Sequence, residues 1–374
     1  MSVFNVYFCG TGATAGDVSH PDYWDGELIS LLAFNDQGRE FADKIVVDGP
    51  GSGNLQDDNL FVDDGDHGAA MGTLLGSGWD ENVQHALQVI KGESLWQRGE
   101  RTQGEYERLK AAGAPIEEAK GTGNWFRERY DYGKRVTPQA LQEQIIRQFR
   151  KQLIPEQVNL IGWSRGGISC HMLANAMAQD PALQHIAVNI LAIDPVPGML
   201  NLQKTRAVLA ANVKQYVGFY ARDERSRGFA CVVPEVAVGT RMSIYPMPGR
   251  HATLVGNASP TGEGRGDTCK APGRIVRHLA ECCLKGWGVS LEKCLQLDDR
   301  QLMVHHQALT SDDAIYLAMR GKSYTYFEEG QGDERKVHHG LKDKPFSEVR
   351  GAHMQPSEGL GLKQWDQRTY EALK

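Results

Sequence analysis

The sequence predicts an α/β chain built on a mostly parallel sheet flanked by helices, and three observations carry that expectation. Strand-like and helix-like segments alternate from about residue 136 to 285, the order that gives parallel strands covered by helices. Residues 186–193 are apolar on both faces, as strands buried inside a parallel sheet are. Lastly, Gly162-Trp163-Ser164-Arg165-Gly166 stands between a predicted strand and a predicted helix, where such a sheet turns sharply into its covering helix.

The elements follow in order. Val3–Phe8 is rich in β-formers and breaks at Cys9-Gly10-Thr11-Gly12, a strand and a tight turn. Lys44–Val47 is a second strand, ended by Asp48-Gly49-Pro50. Residues 54–78 are rich in Gly and Asp and read as a long loop. Over 80–90, Val83, Leu87 and Ile90 share one helical face, with acidic residues in the first turn. Residues 91–135 lack sustained periodicity and read as an insertion.

Thr137 as N-cap and Pro138 at the first helical position open a helix whose apolar face is Leu141, Ile145, Phe149 and Leu153. Strands at 158–161, 186–193, 214–220 and 241–245 follow, with helices over 165–178 and 273–285. Past Asp298 the periodicity fades. The expected organisation is a catalytic domain over 1–297, with the insertion at about 91–135, and an irregular C-terminal cap or lid over 298–374.

Composition narrows the class. The chain has 374 residues, 41% of them hydrophobic and 24% charged, which excludes disordered, collagen-like and coiled-coil chains. A net charge of −6 without a long basic run argues against nucleic acid as partner. No apolar stretch approaches the ~20 residues of a membrane span. The first eight residues carry no Lys or Arg ahead of their apolar run, so they read as a strand and not as a secretory signal peptide. The expectation is a cytoplasmic protein in the producing cell, exported only by a non-Sec machine. Seven cysteines without a Cys-x-x-Cys pair suggest buried reduced thiols, with a disulfide among Cys269, Cys282 and Cys294 as the alternative.

The chemistry centres on Ser164. A G-x-S-x-G sequence between strand and helix is the setting of a nucleophile elbow, where glycines are needed because Cβ atoms would collide with neighbouring elements. The helix N-terminus adds its positive end and free N–H groups, making the backbone N–H of Arg165 a candidate oxyanion donor. Thr11, in the turn after the first strand, offers the second. A serine nucleophile in this setting needs an acid and then a base later in the chain. Asp194 leaves the next apolar strand directly before Pro195, at the carboxyl edge of the sheet. Asp223, after the following strand, is the alternative acid. His251 follows the last strand and a Pro/Gly turn, which makes it the candidate base.

Other clusters have plainer readings. The pairs His305-His306 and His338-His339 lack metal-ligand spacing and read as solvated histidines. The run Asp63-Asp64-Gly65-Asp66-His67 lacks the twelve-residue calcium pattern and reads as an exposed acidic loop. No cofactor and no metal are called for.

Several motifs recur in a telling order: Phe8-Cys9-Gly10-Thr11-Gly12, Gly76-Ser77-Gly78-Trp79-Asp80-Glu81-Asn82, Gly162-Trp163-Ser164-Arg165-Gly166-Gly167, Ile193-Asp194-Pro195-Val196, Ala221-Arg222-Asp223-Glu224-Arg225 and Pro248-Gly249-Arg250-His251. The ordered set resembles the bacterial α/β-hydrolase family that includes phospholipase effectors of the type VI secretion system. The resemblance implies an α/β-hydrolase fold with Ser164 as nucleophile, Asp194 as acid and His251 as base. It further implies a phospholipid acyl ester or membrane surface as substrate, with a cognate immunity protein and a secretion-apparatus protein as partners. Two departures leave the triad intact: Cys9 stands where the family carries Asp, and Ala252-Thr253 where it carries Ser-Asp. An inactive hydrolase-fold adaptor and a small-ester hydrolase are the competing functions. Cover for an apolar site is expected from Leu95, Trp96, Trp125 and Phe126 of the insertion, or from Tyr324, Tyr326, Phe327 and Trp365 of the tail.

Overall fold

The structure, a computed structural model, describes residues 2–50, 79–92, 120–124, 127–131, 154–198, 201–226, 228–260, 269–320 and 335–345. The strands are β1 (Val3–Phe8), β2 (Lys44–Val47), β3 (Lys120–Asn124), β4 (Arg127–Asp131), β5 (Gln157–Trp163), β6 (Ala187–Ile193), β7 (Val213–Ala221), β8 (Cys231–Val233), β9 (Arg241–Met247), β10 (Lys336–His339) and β11 (Lys342–Pro345). The helices are α1 (Leu28–Asn35), α2 (Trp79–Lys91), α3 (Arg165–Gln179), α4 (Lys204–Ala207), α5 (Ala271–Gly286), α6 (Asp299–Thr310) and α7 (Ala314–Arg320).

Six strands form the central sheet in the order β2-β1-β5-β6-β7-β9, and every neighbouring pair is parallel. Strand alternation sends side chains to two cores. Phe4, Val6 and Phe8 of β1 pack with Val83 and Ile90 of α2 and with Ile168 and Leu173 of α3. Tyr7, on the other face, packs with Ile29 and Leu32 of α1 and with Ile275 and Leu279 of α5. The sheet is therefore covered on both sides, as a parallel sheet must be. Apolar burial of this kind contributes roughly 1.5–3 kcal/mol per large side chain.

A row of amides pins the register at the amino ends of the strands. Asn5, Asn159 and Asn189 stand opposite one another in β1, β5 and β6. Asn189 donates to Asn159 Oδ1 at 3.1 Å, and Asn159 to Asn5 Oδ1 at 2.9 Å. Asn5 in turn donates to Asp36 at 2.8 Å. A slip of one residue would bury these amides without partners, at about 1–3 kcal/mol each.

The segment expected to be irregular holds regular elements among its described residues. Helix α6 starts in a capping box between Asp298 and Gln301 and buries only Leu302 and Leu309; so narrow an apolar stripe leaves little periodic signal. Those two residues and Met319 of α7 join the core on the α5 side. Strand β10 runs parallel to β8 and antiparallel to β11. Within the insertion, β3 and β4 pair antiparallel.

The helix expected over 137–153, the acidic run at 63–67 and the residues offered as cover lie outside the described residues. All seven cysteines are free thiols. Among the described residues no helix is long and apolar enough to cross a membrane.

Candidate active site

The predicted site residues gather at the carboxyl edge of the sheet, each on the turn that leaves a strand. Ser164 follows β5 with φ 58° and ψ −126°, a backbone conformation strained for a residue with a side chain. The sharpness of the turn shows in its glycines. A Cβ on Gly162 would meet the Gly166 carbonyl oxygen at 2.3 Å, and one on Gly166 the Phe8 carbonyl oxygen at 2.2 Å. The first helical bond of α3 runs from Ile168 N–H to the Ser164 carbonyl at 3.3 Å, so Arg165 sits ahead of the helical ladder, where N–H groups have no partner within the helix. The Arg165 side chain donates to Thr11 Oγ1 at 3.4 Å, joining the elbow to the turn after β1.

The structure brings Asp194 and His251 into direct contact. Imidazole Nδ1 lies 2.6 Å from Asp194 Oδ2, and both residues are buried. The His251 ring packs against Trp163, next to the nucleophile candidate, with ring centres 5.0 Å apart and planes 33° apart. Phe229 meets it edge-on from another side, also at 5.0 Å. Asp223 is placed differently: its carboxylate accepts the Gly249 N–H at 2.8 Å, in the turn that carries His251.

A residue from far along the chain completes the acid's surroundings. Arg335, which immediately precedes β10, donates Nη1 to Asp194 Oδ1 at 2.6 Å and Nη2 to Asp194 Oδ2 at 3.0 Å. Ala221 N–H donates to Oδ1 at 3.0 Å. Burial alone would raise the Asp194 carboxyl; the Arg335 charge, then the hydrogen bond and charge of His251, outweigh it and hold it at about 2. Burial works against the Arg335 charge as well, and the Asp194 carboxylate more than restores it. Asp194 is thus an anion throughout the neutral range, and His251 Nδ1 carries the proton between them.

Neighbouring residues of the quoted motifs have structural work. Trp79 Nε1 donates to Ser169 at 2.6 Å, and Asn82 donates to the Asp48 carbonyl at 3.1 Å, fixing α2 against α3 and the end of β2. The Cys9 thiol, pushed well up by burial and by Asp48 and Glu27, is a neutral packing group. Thr253 stitches the His251 turn, accepting from Arg250 N–H at 2.8 Å and donating to the Arg250 carbonyl at 2.9 Å.

Sequence reasoning missed Arg335 and the part played by Glu224. Arg335 lies in Asp333-Glu334-Arg335-Lys336, a charge run that reads as a solvated face. Glu224 was noted only as a neighbour of Asp223, yet it is buried and accepts three backbone N–H groups, from Arg225, Ser226 and His251. An acidic side chain beside a turn is a common capping signal, but only the fold shows which turn it caps.

No family model matches the chain, and no curated protein matches it. Among solved structures, one similar to it is an uncharacterized protein from Pseudomonas aeruginosa, with a TM-score of 0.40 and 13% identity over 85% of this chain and 52% of the other. Another is the Tle1 effector bound to the VgrG spike of the type VI secretion system, with a TM-score of 0.32 and 14% identity over 68% of this chain and 50% of the other. The chain spans about half the length of these structures.

Proposed function

We propose that this chain is a serine hydrolase of the α/β-hydrolase type, cleaving carboxylic esters through an acyl-enzyme on Ser164. The observation that supports it most is the buried 2.6 Å contact between Asp194 and His251 Nδ1, set beside a serine on a strained strand-to-helix turn. With Nδ1 engaged by an ionised Asp194, Nε2 is the basic nitrogen. Ser164 Oγ attacks the ester carbonyl and its proton passes to His251 Nε2. That proton then leaves on the alcohol as the acyl-enzyme forms. Water, deprotonated by the same nitrogen, releases the acid. The Arg165 and Thr11 N–H groups are the proposed donors to the oxyanion. The ordered motifs extend the proposal to phospholipid acyl esters as substrate, and to export by a type VI machine with a secretion-apparatus partner and an immunity protein.

The test is Ser164→Ala on a short-chain nitrophenyl ester, paired with fluorophosphonate labelling of the unaltered protein. Removing a triad nucleophile lowers kcat on the order of 10⁶-fold, with labelling lost at the same residue. Activity persisting within about tenfold in a folded Ser164→Ala protein overturns the assignment. An unaltered protein that neither turns over esters nor takes the label leaves the inactive adaptor as the reading.

A further inference from the structure

Among the described residues the C-terminal segment reaches the candidate triad through the Arg335 side chain, and the path by which it arrives is specific. Val232 of β8 donates its N–H to the Pro195 carbonyl at 2.8 Å, one residue beyond the acid. Strand β10 pairs with β8 in parallel, with Val337 opposite Cys231, and Arg335 is the residue that leads into β10. The pairing therefore delivers a guanidinium to the acid's carboxylate from 141 residues away. Arg335 is 1% exposed and Asp194 fully buried.

The remaining donors fix the angle of approach. Besides its two bonds to Asp194, Arg335 donates Nη1 to the Ala221 carbonyl and Nη2 to the Phe229 carbonyl, each at 2.6 Å. The fork is thus anchored to the end of β7 and to the loop whose Phe229 ring touches His251. Two parallel bonds between a planar guanidinium and a carboxylate set the rotation of the carboxylate as well as its position. A lysine, with a single ammonium, cannot do this.

We propose that Arg335 is the positioning residue of the ester hydrolysis: it fixes the rotation of the Asp194 carboxylate so that Oδ2 meets His251 Nδ1, and the C-terminal segment is thereby part of the catalytic unit. This rests on the reading of Ser164, His251 and Asp194 as the reacting set. Arg335 itself touches neither substrate nor reacting atoms. It acts through Asp194, which carries all of its influence on the chemistry. One consequence follows for the reaction. Without Arg335 the carboxylate can rotate about its last bond, and the imidazole is held in the reactive orientation for less of the time.

The experiment is a double-mutant cycle in the full chain with Arg335→Met and Asp194→Asn, read with a short soluble ester. Arg335→Met is expected to lower kcat about 100-fold with little change in KM, the size typical of a misplaced catalytic group. In the Asp194→Asn background the same substitution should cost almost nothing further, because its target is already neutral. A merely structural role predicts equal losses in both backgrounds, and that result overturns the proposal. So does a folded Arg335→Met protein that keeps its kcat. If Arg335→Met does not fold, Arg335→Lys decides: it keeps the charge but not the fork, so a kcat near that of the unaltered protein counts against positioning and a clear loss supports it. Fluorophosphonate labelling at Ser164 separates this proposal from its premise. An active, labelled protein indifferent to Arg335 refutes only the positioning role, whereas an unlabelled, inactive one refutes the triad.

Discussion

Glu224 holds the backbone N–H of His251 at 3.1 Å across 27 residues of sequence, while its other oxygen accepts from Arg225 at 2.9 Å and Ser226 at 2.7 Å. One carboxylate thus ties the turn after β7 to the turn that carries the candidate base. Asp223 makes a parallel bond to Gly249 N–H. These two acids brace the loop, and Asp194 meets the imidazole.

Glu224→Gln must set an amide NH₂ against a backbone donor whichever way it turns. The expected cost is about 1–3 kcal/mol of stability for the unsatisfied groups, with kcat falling on the order of 100-fold as His251 shifts. Asp194→Asn should lower kcat by about 10⁴-fold at nearly unchanged KM, the effect of a wrong imidazole tautomer. Asp223→Asn, which keeps an acceptor oxygen for Gly249, should stay within about tenfold of the unaltered protein. Steady-state kinetics on the three variants, each checked by melting temperature, gives the ranking. A larger kcat loss for Asp223→Asn than for Asp194→Asn would move the acid to the turn after β7.

The strain at Ser164 has its own signature. With φ at 58° and ψ at −126°, the residue sits where glycine is comfortable and other residues cost about 1–3 kcal/mol. Ser164→Gly and Ser164→Ala both remove the nucleophile, so their difference isolates the backbone. The glycine variant is expected to melt several degrees higher than the alanine variant. Equal melting temperatures would mean that the elbow stores no strain.

Two buried acids give the stability opposite dependences on pH. The Asp194 carboxyl is lowered from 3.8 to about 2, so its contribution is full above its unfolded value and is lost as pH falls from 3.8 toward 2. Glu27, which caps α1, is raised from 4.5 to about 7, mainly by burial. Its contribution is full below 4.5 and is lost as pH rises toward 7. Hydrogen bonds to the carboxylate from Ile29 N–H at 3.0 Å, from Ser30 N–H at 2.9 Å and from Ser30 Oγ at 2.9 Å hold back the rise of the carboxyl. Denaturant unfolding between pH 4.5 and 7 should show stability declining in the unaltered protein and a flatter profile in Glu27→Gln; identical slopes would place the dependence elsewhere.

Truncation after Leu297 removes Leu302, Leu309 and Met319 from the core on the α5 side. It also takes two acceptors from the Arg250 side chain, the Met319 carbonyl at 2.7 Å and the Ala318 carbonyl at 3.2 Å, and takes Arg335 from Asp194. The shortened chain is expected to melt lower and to lose activity equally on a short soluble ester and on dispersed phospholipid. A loss confined to dispersed phospholipid would instead make the tail a cover for acyl chains.

Much of the sheet was legible in the sequence, because its signals are local. Strands β1 and β2 fall on their expected residues, and β5, β6, β7 and β9 within a few residues of theirs. β-branched runs ended by Gly, Pro or Asp carry that information wherever they occur. Helices α2, α3 and α5 were marked in the same way by an apolar face or by the Gly-rich turn that opens them. Helix α1 was not. Its sequence Leu28-Ile29-Ser30-Leu31-Leu32-Ala33-Phe34-Asn35 has no polar face, and its N-cap is Glu27 in place of the usual Ser, Thr, Asp or Asn.

The sequence by itself determined the strands of the central sheet and helices α2, α3 and α5 in chain order, and it set Ser164, Asp194 and His251 each just past a strand, where parallel sheets present their loops to ligands. Tertiary structure alone decided which groups meet there. The Asp194–His251 contact spans 57 residues, the Glu224–His251 bond 27, and the Arg335–Asp194 pair 141. None of these has a spacing that a chain reveals locally, because each forms only when the parallel sheet aligns its carboxyl ends and β10 docks beside β8. Arg335 shows the reason most plainly: in the sequence it is one charge among four, and the energetic cost of burying it is offset only by a carboxylate that folding brings to it.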